Sequence, residues 1–184
     1  SGIIHAGLFD FYSKDGLFEY DKFKLALPAV DSMSFTVRSN DDNVHGSHEQ
    51  IRVKTVISDI SGELLIDDPN NKSGRKSFPE YPYFTNKNDA YVYFDNKSIQ
   101  NGVYNREKFK YHVAPFTIDS LDNFTTEGLN MEGKLFSDGI FPVIEEPLSI
   151  QPDYSLGFIH QTPDQGYPIY NGKGTYYSKG LLSN

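Results

Sequence analysis

Apolar and polar positions alternate along much of the chain. Residues 50–57, QIRVKTVI, set Ile51, Val53, Thr55 and Ile57 on one face against Arg52, Lys54 and Val56 on the other, a period of two that predicts a half-buried strand. Leu64 and Ile66 resume the alternation after Ser61-Gly62, so residues 51–66 read as a hairpin or a kinked long strand. Shorter strands are predicted at 3–11, 17–27, 34–37, 90–94, 108–113, 130–136, 155–160 and 174–182. Turn residues separate nearly all of them: Lys14-Asp15-Gly16, Asn101-Gly102, Asp138-Gly139, Gln165-Gly166 and Asn171-Gly172, where Asn, Asp and Gly tolerate the left-handed backbone. No eleven-residue window carries a helical apolar face, and 119–129 is the best place for a stray turn. Residues 69–88 form one long irregular stretch whose Phe78, Tyr81, Tyr83 and Phe84 are expected to pack down as a lid. The fold expected is mainly β, with antiparallel sheets, sandwich-like or an elongated two-layer arrangement, little helix, and one domain over 1–184.

The chain also echoes itself. Asp15-Gly16-Leu17-Phe18 returns as Asp138-Gly139-Ile140-Phe141, and the same offset aligns Leu25 with Leu148, Leu27 with Ile150 and Phe35 with Phe158. At a second offset Lys22-Phe23-Lys24 aligns with Lys108-Phe109-Lys110. The spacings are unequal, which excludes a regular solenoid. Partial copies near 15–37, 104–125 and 138–160 imply a reused strand-turn-strand unit with Phe23/Phe109, Leu25/Tyr111 and Leu27/Val113 pointing into one layer, core residues and not chemistry.

Composition narrows the function classes. Thirteen Tyr and fourteen Phe with no Trp are a strand-and-turn inventory. The net charge of −8 and the lack of a basic run give phosphate backbones no footprint, so nucleic acid is not an expected partner. With no cysteine there is neither a disulfide framework nor a thiol nucleophile. No apolar run approaches the ~20 residues of a spanning helix, so the chain is expected not to span a membrane. Its ends, SGIIHAG and KGLLSN, lead us to expect a piece of something longer, with strand 174–182 and strand 3–11 open to edge-to-edge pairing.

Three segments carry a resemblance: NKSG at 71–74, PFTIDSLDNF at 115–124 and SDGIFPVIEEPLSIQPDYSLGF at 137–158. They resemble parts of very large envelope proteins of Gram-negative bacteria built from recurring β motifs, similar in style to the repeating-β proteins that carry lipid between membranes. The chain departs from the lipid-carrier pattern in its many charged and proline-broken stretches. The resemblance implies a bacterial, exported or envelope location and adjacent segments of the same full-length protein as partners; it brings no catalytic signature.

Candidate chemistry is sparse. His45 and His48, near Asp41, Asp42 and Glu49, read as a polar loop, since metal ligands need rigid support. Asp67, Asp68, Asn70 and Asn71 lack the spacing and terminal Glu of a calcium loop. Glu145-Glu146 is half of a glycosidase pair at best and reads as solvated charge beside Pro147. No GxSxG, P-loop or GxGxxG occurs, none of the five His sits in a triad context, and no cofactor is expected. The sequons at Asn71, Asn96 and Asn123 carry no meaning in a bacterial protein. The remaining candidates are tyrosines: Tyr81, Tyr83, Tyr91 and Tyr93, then Tyr167 and Tyr170 with Tyr176 and Tyr177, which suit either sheet packing or a platform for a glycan or protein partner. The sequence therefore points to a non-enzymatic structural or interaction module, ahead of a carbohydrate- or ligand-binding sandwich, a lipid-carrying β-groove segment and a glycosidase.

Overall fold

A computed structural model describes residues 2–38, 50–177 and the backbone of 181–183. The described chain is mainly β, its strands in antiparallel pairs, and its helical content is three single 3-10 turns, Gln100–Gly102, Leu121–Asn123 and Thr126–Gly128. The strands in the first two-thirds are β1 (Gly2–Ala6), β2 (Phe9–Glu19), β3 (Lys24–Arg38), β4 (Gln50–Arg52), β5 (Ile57–Leu65), β6 (Tyr83–Asn86), β7 (Ala90–Tyr93), β8 (Phe109–Val113) and β9 (Phe116–Ile118). They are followed by β10 (Gly133–Ser137), β11 (Ser149–Ile150), β12 (Leu156–Gly157), β13 (Ile159–Gln161), β14 (Tyr167–Ile169), β15 (Gly174–Tyr176) and β16 (Leu181–Ser183).

One sheet dominates. Its path, β1-β2-β3-β5-β7-β8-β10, adds strands in chain order, with β4 beside β3 and with β6 and then β9 branching off β5. Short connections drive this order. Gly7, with φ +57, starts the two-residue turn between β1 and β2, and a Cβ there would lie 2.4 Å from the Leu121 carbonyl. The Leu8 amide donates to Leu121 O at 2.8 Å, so the turn is tied to the layer beneath. The later segments make three separate two-stranded pairs, β11–β12, β13–β16 and β14–β15.

Alternation places one side of each strand in a common core. Phe9 and Phe11 on β2, Met33 and Phe35 on β3, Ile57, Ile60 and Leu64 on β5, Val92 on β7, and Tyr111 and Val113 on β8 are all buried. The cover comes from the later segments, largely irregular: Leu121, Phe124, Leu129, Met131, Ile144, Leu148, Phe158 and, on β12, Leu156 complete the same cluster. Phe124 contacts the Phe9 and Phe35 rings edge-on, at 5.1 and 5.9 Å between centroids.

Several expectations are corrected. Lys14-Asp15-Gly16 lies inside β2, at register shifts that run from Tyr12 to Leu17, so this Asp-Gly pair marks a bulge. The true reversal is Tyr20–Phe23, inside the predicted strand 17–27, with Phe23 at φ +49. Phe23 and Phe109 are half-buried, as is Leu25, whereas Leu27, Tyr111 and Val113 are fully buried. Asp138-Gly139 does turn, with φ +53 and +76, so the two aligned Asp-Gly pairs have different conformations. Residues 50–65 run antiparallel to β3 as a kinked strand broken at 53–56, and Ser61-Gly62 continues β5. A Cβ on Gly62 would meet the Thr85 carbonyl oxygen at 2.0 Å, which explains the glycine by close strand approach. The predicted strand 174–182 divides into β15 and β16, with different partners.

Candidate functional site

The tyrosines singled out from sequence fall in three places. Tyr81 and Tyr83 meet at a tilt, 5.0 Å between centroids, beside Phe78, where the irregular stretch enters β6. Burial, then the neighbouring Tyr83, raises the Tyr81 phenol above its ordinary value. Tyr91 and Tyr93 stack at 5.7 Å on the outward face of β7, because Ala90 and Val92 take the inward positions. Tyr167 and Tyr170 lie on and just after β14, and exposed Tyr170 lines a shallow pocket with Tyr104 and Phe109 at the start of β8. The six do not form one platform.

Around Tyr91 and Tyr93 the register builds two cross-strand rows. Tyr91, His112 and Lys134 stand opposite one another across β7, β8 and β10, and Tyr93, Lys110 and Phe136 form the next row. The two rings are already capped: Arg106 lies 3.6 Å from the Tyr93 centroid and Lys110 lies 4.8 Å from that of Tyr91. Tyr93 also donates to Asp59 at 2.6 Å, and burial followed by this bond pushes its phenol up to about 12. His112 meets Asp89 at 3.0 Å and Lys134 meets Glu145 at 2.7 Å. The exposed aromatic ring of the rows is Phe136. It faces a groove of about 610 Å³ between the β8–β10 face and the turn 137–143.

A second cluster escaped the sequence reading. His160 on β13 places Nδ1 2.6 Å from Glu146 Oε1, and its Nε2 bonds the Tyr167 hydroxyl. The Tyr111 hydroxyl donates to the Glu146 backbone carbonyl. Glu146 is therefore held, not simply solvated, while Glu145 makes the outer pair with Lys134. A carboxylate-imidazole-hydroxyl chain is the arrangement that activates nucleophiles. Here burial and then the Glu146 charge raise the Tyr167 phenol above its ordinary value. The chain works as a tie between residues 144–148, β13 and β14. Fourteen and seven residues separate its members in sequence, so no local pattern announces it.

The loop 67–76 closes on itself. Asn71, buried, donates to Asp67 Oδ2 and the Lys76 carbonyl at 2.8 Å each and accepts from the Lys76 amide at 3.0 Å. The His45 and His48 loop lies outside the described residues. Among the described residues no group of three or more His, Asp or Glu is placed to hold a metal ion, and no helix is long and apolar enough to cross a membrane.

The main path of the sheet ends in two unlike margins, and β4 and β9 end its side branches. Next to β10, Ile144 bridges Leu135 and Leu148 bridges Met131. On the other side β1 covers β2 only as far as Ser13, so the outer edges of β1 and of residues 14–19 carry no strand among the described residues. The Ala6↔Phe9 pair closes a two-residue hairpin, and alternation from it turns the backbone groups of Ile3 and His5 outward. Exposed Ile3, Leu17 and Phe18 lie along the same margin. No protein family, curated protein or solved structure matches the chain.

Proposed function

We propose that the chain is a non-enzymatic structural or interaction module of a larger exported or envelope protein, and that it joins neighbouring segments by accepting a further strand at the β1–β2 margin. The observation that carries this reading is the open edge itself. Backbone donors and acceptors of Ile3 and His5 point outward beside exposed Ile3, Leu17 and Phe18, and an unpaired edge of this kind is a template for strand addition. Beside β10, by contrast, Ile144 and Leu148 already bridge Leu135 and Met131. The in-order growth of the sheet supports the same reading, because a strand added outside β1 continues a pattern that the chain already follows.

Light scattering on the 184-residue chain tests it. The wild type should associate reversibly as concentration rises into the hundreds of micromolar. His5→Pro removes one outward amide and blocks close approach of a second strand, and it should return the chain to a monomer without lowering its melting temperature by more than a few degrees. A wild type that stays monomeric throughout, or an association unaffected by His5→Pro and by Leu17→Lys, overturns the proposal.

A further inference from the structure

We propose that the groove beside Phe136 is a subsite for a neutral saccharide, independent of the strand-accepting margin. Its floor is apolar and exposed: Phe136 is 39% and Val143 49% accessible, and both line the groove. Its rim mixes donors and acceptors. Lys108 and Lys110 contribute ammonium groups, Glu107 and Asp138 carboxylates, and Asn171 an amide; two positive and two negative charges cancel.

That balance selects the ligand. A pyranose presents a C–H face that packs on an aromatic ring and hydroxyls that both donate and accept, so each kind of lining group finds a counterpart. A polyanion would bring charge against Glu107 and Asp138. An acyl chain would desolvate the Glu107 carboxylate together with the Lys108–Asp138 pair, 3.7 Å apart, and give neither a polar counterpart. Phe136 can serve where Tyr91 and Tyr93 cannot, because Lys110 and Arg106 already cover those two rings.

The groove is also preformed. Phe136 and Lys110 are fixed opposite each other by the β8–β10 register. Ser137 Oγ accepts from the Phe141 amide at 2.8 Å and donates to the Phe141 carbonyl at 3.1 Å, which closes the turn. Asp138 and Gly139 hold left-handed φ values, and the Asn171 amide sits on Gly139, 3.3 Å from where a Cβ would be. The Tyr170 amide donates to the Ile140 carbonyl at 3.1 Å, anchoring the β14–β15 hairpin to the turn.

Saturation-transfer NMR and calorimetry with neutral hexasaccharides of glucose, mannose, xylose and galactose, plus a galacturonate hexamer, test the assignment. At least one neutral hexamer should bind with a Kd at or below about 1 mM. Phe136→Ala should weaken it tenfold or more with an unchanged melting temperature, while Val103→Ala, outside the groove, leaves it intact. No binding by any neutral hexamer at 10 mM ligand, equal binding by Phe136→Ala, or tighter binding of the galacturonate hexamer would each overturn the proposal.

Discussion

Phe124 is the side chain that joins the covering layer to the sheet, and its removal gives a graded test of the core. The ring is 5% exposed and meets Phe9 and Phe35 edge-on. A buried aromatic withdraws roughly 150–250 Å² from water, which at ~25 cal/mol per Å² corresponds to about 4–6 kcal/mol as an upper bound. Measured Phe→Ala replacements in cores fall at about 3–5 kcal/mol, and the two edge-to-face contacts place Phe124→Ala in the upper half of that range. For a chain of this length that is a fall in Tm of roughly 8–20 °C. Phe23→Ala makes the contrast. Phe23 is half-buried in a turn at φ +49, so its loss should cost no more than about 1–2 kcal/mol. Urea denaturation followed by far-UV circular dichroism measures both. Equal costs for the two variants, or a Phe124→Ala cost below about 1.5 kcal/mol, would show that residues 121–131 do not close the core as described. Hydrogen exchange at the Leu8 amide adds a local readout, because its acceptor is the Leu121 carbonyl: exchange should accelerate in Phe124→Ala and stay slow in Phe23→Ala.

Two further outcomes are expected. Gly133→Ala places a Cβ 2.1 Å from the His112 carbonyl oxygen and 2.4 Å from the Tyr111 ring; neither the backbone nor a fully buried ring yields easily, so the variant should lose about 3 kcal/mol or more, against less than about 0.5 kcal/mol for Gly2→Ala at an open position, and a Gly133→Ala melting temperature equal to that of the wild type would contradict the close strand approach. Glu63 is held below the ordinary carboxylate range first by Lys24 and then by Lys87, and Lys24 is held above its ordinary value by Glu63, with Lys24 Nζ 2.5 Å from Glu63. A depressed carboxylate contributes stability that is complete above about 4.3 and is lost as pH falls through its folded value, while a raised ammonium contributes stability that is complete below about 10.4 and is lost as pH rises through its folded value. The urea midpoint should therefore be flat between roughly pH 5 and 10 with respect to this pair and decline at both ends, and Glu63→Gln should blunt the acid limb; an acid limb identical in that variant would refute the assignment.

The alternation of apolar and polar residues was enough to find β7, β8 and much of β5, and Asn-Gly or Asp-Gly pairs located the turns at 101–102, 138–139 and 171–172. Asp15-Gly16 misled because a bulge and a turn call on the same residue types, and only the partner strand distinguishes them. The reversal at Tyr20–Phe23 was hidden for the opposite reason: a phenylalanine holds the left-handed position usually given to glycine. The Tyr91 and Tyr93 pair was legible as one strand face, but its capping by Arg106 and Lys110 was not, since those cations arrive from beyond β7 and from β8. Phe136 looked like one more alternating residue; its exposure depends on where the turn 137–143 lies. The Glu146–His160–Tyr167 tie is created by topology alone.

The chain-order growth of the sheet bears on how the protein is made. From β1 to β3 each strand leaving the ribosome finds its template already synthesised one hairpin earlier, and the same holds for β5 against β3 and for β8 against β7. Most of the cover is made after β9. Until residues 121–158 emerge, Phe9, Phe11, Phe35 and Phe84 lack the apolar partners that cover them in the finished fold. A sheet that pairs during synthesis therefore exposes this face for an interval, and a pause in translation before Leu121 would lengthen it. That interval is where aggregation is expected to compete with folding.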